Sequence, residues 1–372
     1  MPSPLKNRLL VVLCLLGSLL SLPQQLHGES QPPLIAFQVP DSRATFPLSI
    51  NEAATVTGYY INNSGVSSGF VRYEDGQIIT FDVPGSVATI PVSINTAGDI
   101  TGYYNLPSNT QPSYDIPQGF VRTPEGKITT FGNPVTTASA SSLWAQPVAI
   151  NVAGEIIGNY PDVALASFVF LRSAAGVVLT FSLSLGAHYS TVATGLNAGG
   201  AIVGYASSQS LNLAEGFLWS GQGPPPNPGG GFTPITVAGS TGTFPTGINA
   251  EGTIVGCYAA GGLYHYFVRA RDGVVKTLYI PGTVPNCIAT FTPGFIAVVP
   301  QPILVNDQGT IIGYTINAAQ IATAFIRLES GVVTTFNYPG SKETIPTSIN
   351  NCDVITGYYS QGSEIVGFIR EP

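Results

Sequence analysis

Few side chains in this sequence suit acid–base or nucleophilic work. Beyond the first 28 residues only two histidines occur, His188 and His265. A three-histidine metal site is therefore out of reach there, and an imidazole base has two candidates. Many acids fall in short turn-like words: Glu74, Asp75, Glu125, Asp272 and Glu329. Asp115 and Asp162 stand in longer variable stretches, and no spacing singles out two carboxylates as an acid and base pair. There is no nucleophile elbow at a strand–helix junction, no His-Glu-x-x-His, no phosphate loop and no Asp-rich calcium loop. No catalytic residue, metal site or cofactor is therefore assigned.

Other polar groups recur with a period. Six of the nine arginines share one repeat position: Arg72, Arg122, Arg172, Arg269, Arg327 and Arg370. No acidic partner position recurs beside them, so they read as structural, held by backbone carbonyls or stacked on a tyrosine. The pairs Tyr59-Tyr60, Tyr103-Tyr104 and Tyr358-Tyr359 have the chemistry to stack on sugars, and equally that of strand formers with a polar tip.

These residues are placed by a repeat. Ile-Asn or a close variant ends at Asn51, Asn95, Asn151, Asn197, Asn249, Asn306 and Asn350, with gaps of 44, 56, 46, 52, 57 and 44 residues. Each is followed by an aliphatic residue and, two positions on, by a glycine, from Gly58 to Gly357. Then comes a phenylalanine, from Phe70 to Phe368, with the arginine column two residues later; Trp219 takes that place in the fourth unit. A second apolar residue follows the first at a distance of 11, as in Phe81, Phe131 and Phe336. The unit reads as four short strands, A to D: A as in Ile90 to Asn95, B as in Val56 to Tyr60, C as in Gly69 to Tyr73, D as in Gln77 to Val83. Asn at the first and Gly at the fourth position of the A–B connection mark a type I turn. The strand B glycines are expected where the next unit approaches closely.

Four strands per period of about 50 residues predict an all-β protein, a β-propeller. The chain ends after strand C of its last unit, and Ile35 to Pro40 matches Ile79 to Pro84 in register. Residues 34–40 should therefore close the last blade, giving seven blades of four strands. Ahead of them, Lys6 and Arg8 precede an apolar run from Leu9 to Leu22 and a polar end. That pattern predicts a signal peptide over residues 1–28, cleaved near 28–30, and one domain over 31–372 that is exported, periplasmic or extracellular. No second apolar segment approaches membrane length.

Only 9 % of residues are charged, whereas 43 glycines and 30 prolines make one residue in five. Without Lys6 and Arg8 the chain carries 11 basic against 20 acidic residues. Such a balance makes it a poor ligand for nucleic acid. Three cysteines remain after residue 28; a Cys257–Cys287 disulfide suits an exported protein, and Cys352 is expected to stand alone.

Chain direction puts the A–B and C–D turns on one face and the B–C and D–A loops on the other. Most length variation falls in the second set, where Tyr114, Trp144, His188, Tyr189, Tyr264, His265 and Phe295 are the candidate ligand-face residues. The favoured reading is a secreted, monomeric, non-enzymatic scaffold that binds carbohydrate or another surface protein. The alternative is a propeller enzyme, a polysaccharide hydrolase or lyase, which would need acids converging over the axis.

The Gly-Phe-x-Arg words (Gly69-Phe70 and Gly119-Phe120, with Gly216-Phe217 before Trp219 and Ala324-Phe325 as variants) and the Ile-Asn-x-x-Gly cadence resemble the bacterial extracellular repeats of the HAF family. The resemblance covers residues 34 to 372. It implies export and a repeat fold, and no activity.

Overall fold

The computed structural model describes residues 34–107, 117–132, 145–161, 167–183, 189–208, 213–221, 231–280, 284–285, 287, 301–317 and 319–372. Every element in them is a β-strand. The predicted signal segment and the loops that carry Tyr114, Trp144, His188 and Phe295 lie outside these residues.

The first unit runs Ser42–Ile50, Val56–Asn62, Ser67–Arg72 and Ile78–Phe81, each strand antiparallel to the next. The same order recurs along the chain. The outermost strands have only four residues, because the ladder ends where strand D turns toward the next unit. In the sixth unit the innermost strand is divided: Val284–Pro285 and Ile303–Val305 both pair with Ile311–Ile316. At the chain ends, Leu34–Phe37 pairs antiparallel with Glu364–Arg370, Leu34 opposite Arg370. The first described residues thus form the outer strand of the last unit.

Four strands per unit does not mean separate sheets. Single parallel bridges, Ser67 to Ala88, Ala214 to Gly242 and Ala44 to Ile365, join neighbouring units, so the 29 strands group into sheets of 12, 4, 8 and 5. Each bridge lies where strand C of one unit meets the start of strand A of another.

The strand B glycines have a different cause from the one expected. A Cβ at Gly58 would lie 2.0 Å from the Phe46 carbonyl oxygen, and one at Gly102 2.2 Å from that of Ile90. Both oxygens belong to strand A of the same unit, beside a β-bulge at Pro47/Ser49 and Pro91/Ser93. The bulge pushes the strand A backbone against strand B, and only glycine leaves room. It is the strand C glycine that meets the neighbour: a Cβ at Gly69 would lie 2.8 Å from Pro91 Cγ of the next unit.

Between units lies an apolar layer. Phe70, Phe120, Phe170, Phe267, Phe325 and Phe368 are fully buried. Phe70 packs with Ile50 and Val56 of its own unit and with Ile369 and Val39 of the last one. Burial of such side chains contributes roughly 1.5–3 kcal/mol each before entropy is counted. The D–A connections are tied by one device: a threonine early in strand A accepts a backbone N–H from the end of strand D. Thr45 does so for Val39, Thr89 for Val83, Thr243 for Val237 and Thr344 for Tyr338.

Candidate functional site

On the B–C and D–A side, the described candidates are few. Tyr189 opens the strand Tyr189–Leu196. Tyr264 sits at the start of Leu263–Arg269, beside a Gly261-Gly262 hairpin tip, and is 39 % exposed; Leu263 is 58 % exposed. His265 is the next residue and therefore points to the opposite side of the strand. There it stacks on Tyr258, ring centroids 5.0 Å apart, while the Tyr258 hydroxyl shares a hydrogen bond with Thr277 Oγ1 at 2.8 Å. The imidazole is held against its own blade, and Tyr264 and His265 do not share a pocket.

The same unit carries a covalent tie. Cys257, in strand B, is bonded to Cys287, with Cα atoms 6.0 Å apart. Both are buried, among Tyr266, Ile280, Ile303 and Phe325. Cys287 follows Val284–Pro285, in the interruption of the sixth unit's innermost strand, so the bond ties that segment to strand B of the fifth unit. Cys352 does not stand alone: it is disulfide-bonded, and no described cysteine is free.

The tyrosine pairs serve the interior. Tyr103, Tyr104 and Tyr359 are buried, and Tyr59 stacks on Phe46 at 4.7 Å. Burial pushes the Tyr59 hydroxyl up to about 12 and raises Tyr103 and Tyr358 as well. They offer no open stacking platform for a sugar.

The arginine column bridges units. Arg72 lies over the Phe37 ring at 5.0 Å, Arg122 over Phe81 at 4.8 Å, Arg172 over Phe131 at 4.9 Å and Arg370 over Phe336 at 5.2 Å. Each ring is the strand D phenylalanine of the preceding unit, not a strand B tyrosine. The units preceding Arg269 and Arg327 have Ile235 and Leu278 at that place, and no such stacking is found there. Nη1 of each stacked arginine also donates to the carbonyl of the following residue, as in Arg72 to Tyr73 at 3.1 Å. Burial lowers the pKa of Arg72, Arg172 and Arg370.

At the A–B turns, the recurring asparagines do two jobs. Oδ1 accepts backbone N–H groups of its own turn, as from Ala53 and Thr55 to Asn51. Nδ2 donates to the backbone carbonyl of the next asparagine: Asn51 to Asn95, Asn95 to Asn151, Asn151 to Asn197, Asn197 to Asn249, Asn249 to Asn306 and Asn306 to Asn350. Asn350 then donates to Asn51, at 3.1 Å. The fourth turn position takes a left-handed backbone, which is why glycine stands there in Gly98, Gly154, Gly200, Gly252 and Gly309.

Inside this cycle four consecutive A–B junctions, from Ile50 to Ala198, line an open cavity of ≈ 160 Å³. On its rim Asn351 joins two acids. Its N–H donates to the Glu52 carboxylate (3.1 Å to Oε2), and its side-chain Nδ2 donates to Asp307 Oδ2 at 2.9 Å. Burial, with Asp307 nearby, raises the Glu52 pKa against the lowering effect of the Asn351 N–H. This junction lies on the face opposite the candidate loops, and the sequence reading missed it. The only signal was the residue after each asparagine, polar in Glu52, Asp307 and Asn351 and apolar in Val152, Ala198 and Ala250.

Among the described residues no group of three or more His, Cys, Asp or Glu side chains is placed to hold a metal ion, and no helix is long and apolar enough to cross a membrane. No family model matches the chain, and no curated protein matches it in sequence. Solved structures do match in shape. Virginiamycin B lyase from Staphylococcus aureus aligns with a TM-score of 0.57 at 11 % identity, over 91 % of this chain and 99 % of that one. A streptogramin B lyase aligns at 0.54 and 13 % identity, over 91 % and 97 %. Puromycin hydrolase aligns at 0.57 and 14 % identity, over 90 % of this chain and 54 % of that one. At these identities the likeness extends to architecture alone: the chain has the β-propeller fold.

Proposed function

We propose that this chain is an exported, monomeric, seven-bladed β-propeller that acts as a non-enzymatic binding scaffold through its B–C and D–A loop face. Seven blades rest on the seven linked asparagines, with Leu34–Phe37 completing the last blade. Export, with residues 1–28 as the signal and 31–372 as the domain, rests on the leader pattern and on the resemblance to HAF-type repeats.

The observation that carries the binding role is the Cys257–Cys287 bond. It pins the interrupted innermost strand of the sixth unit to strand B of the fifth, the blade that also exposes Leu263 and Tyr264. A rigid ring with one anchored, aromatic-bearing edge is how a loop face is held ready for a ligand. The repeat arginines, asparagines and most of the paired tyrosines are meanwhile committed to packing.

A glycan-array screen of residues 31–372 tests the reading. Binding should be found and should fall on Tyr264→Ala; undiminished binding by that variant would move the ligand off this face.

A second reading, an enzyme acting on polysaccharide, is favoured by one observation: Glu52 and Asp307 converge on Asn351 beside the axial cavity. Each carboxylate already caps a backbone N–H of a neighbouring blade, so the scaffold reading is preferred. Turnover of a polysaccharide that stops in Glu52→Gln would reverse that preference.

A further inference from the structure

The A–B face holds a second feature, independent of the loop-face reading. Around the cycle, the residue after each asparagine presents a backbone N–H inward. In one half of the ring each is capped by the side chain at the equivalent position of the next unit. Ala250 N–H donates to Asp307 Oδ1 at 2.7 Å, Asp307 N–H to Asn351 Oδ1 at 2.8 Å, and Asn351 N–H to the Glu52 carboxylate. In the other half the capping positions are Thr96, Val152, Ala198 and Ala250. Three of these have no acceptor atom. Among the described residues the N–H groups of Glu52, Thr96, Val152 and Ala198 have no acceptor. The ≈ 160 Å³ cavity lies in that uncapped half.

The cavity is thus where side-chain caps are missing. Ile50, Ile94, Ile150 and Leu196 border it, but their side chains pack into the apolar layers between units, so the surface it presents is mainly polar. Its volume would hold about five waters. One carboxylate of the lining, Glu52, stands at the end of this row of donors, while Asp99 and Glu155 are bonded to Asn95 Nδ2 (3.3 Å) and Asn151 Nδ2 (2.8 Å) outside the lining. A free anion would meet the Glu52 carboxylate. A bare cation would meet N–H donors. Neighbouring hydroxyls satisfy both, since each accepts from an N–H and donates to a carboxylate.

We propose that this axial mouth binds one neutral sugar residue, its hydroxyls accepting from the N–H groups of Thr96, Val152 and Ala198 and donating to the Glu52 carboxylate.

The test uses the full chain and a panel of free monosaccharides (glucose, galactose, mannose, xylose and N-acetylglucosamine), with binding followed by ligand-observed NMR and calorimetry. At least one sugar should saturate the protein. Val152→Pro and Ala198→Pro each delete a donor at the second position of a type I turn, where proline is favoured, so the fold should persist. Each should weaken binding about tenfold, the value of one well-placed hydrogen bond. Ala198→Asp should abolish binding without lowering the melting temperature, because its carboxylate would cap the Val152 N–H as Asp307 caps that of Ala250. Tyr264→Ala should leave this binding intact. Any of three results overturns the proposal: no sugar in the panel binds; binding survives Val152→Pro and Ala198→Asp in folded protein; or sulfate or free arginine binds the mouth in place of every sugar.

Discussion

Asn350 donates from Nδ2 to the backbone carbonyl of Asn51, 299 residues earlier, at 3.1 Å. The same contact links consecutive asparagines along the chain, so the last unit meets the first by the bond that joins all the others. Each such asparagine is buried, with Oδ1 holding its own turn and Nδ2 holding the neighbour.

These two roles are separable by substitution. Asn350→Ala loses the donor and an acceptor used by Cys352 and Val354 N–H, together about 1.5–4.5 kcal/mol at 0.5–1.5 per hydrogen bond. Asn350→Asp keeps the turn acceptor but turns an oxygen toward the Asn51 carbonyl. Urea unfolding should show both variants destabilised. If Asn350→Asp matches the wild type, the link to Asn51 contributes nothing.

The turn role was legible in the sequence because it is local: Asn-x-x-Gly states its own geometry. The link to the next asparagine was not, since it spans 44 to 57 residues and depends on how units are set around the axis. The arginine column shows the same limit. Its period was readable, but its partner is the phenylalanine of the preceding unit, which no spacing within one unit indicates. The outer strand at Leu34–Phe37 was readable because Ile35 to Pro40 repeats a word found elsewhere in the chain. The loop face was least legible. Its residues follow no period, and four of its seven candidates fall outside the described residues.

Arg122 over Phe81 should behave as a coupled pair. A double-mutant cycle with Arg122→Met and Phe81→Leu should give a coupling of about 0.5–1 kcal/mol. The matching cycle at Arg269 and Ile235 should give none, because the second residue has no π face. Equal coupling at both sites would show that the arginines act through their carbonyl contacts instead.

Glu52 makes stability depend on pH. Its folded pKa is raised above 4.5 by burial and by Asp307, so the ionised form is disfavoured in the fold. The stability it contributes is complete below 4.5 and is lost as pH rises through the raised value. Glu52→Gln keeps an oxygen for the Asn351 N–H and removes the charge. Its melting temperature should exceed that of the wild type at pH 7, and the difference should vanish near pH 4. A lower melting temperature at pH 7 would mean that the carboxylate's hydrogen bond outweighs its desolvation.

Closure by the strand Leu34–Phe37 makes the sharpest demand. Leu34–Phe37 supplies the outer strand of the last unit; Phe37 lies under Arg72, and Val39 is buried beside Phe70 and Ile369. Removing residues 34–40 therefore strips a ladder from Glu364–Arg370, a ring from Arg72 and a side chain from the layer between the first and last units. Burial of Val39 with partial burial of Phe37 is worth roughly 2–5 kcal/mol. For a chain of marginal stability that is a large fraction of the whole. Melting of the truncated chain should begin well below that of residues 31–372. The Val39→Ala variant should lie between them, because it keeps the strand and loses only packing. An unchanged melting temperature for the truncation would show that the ring holds without its first strand.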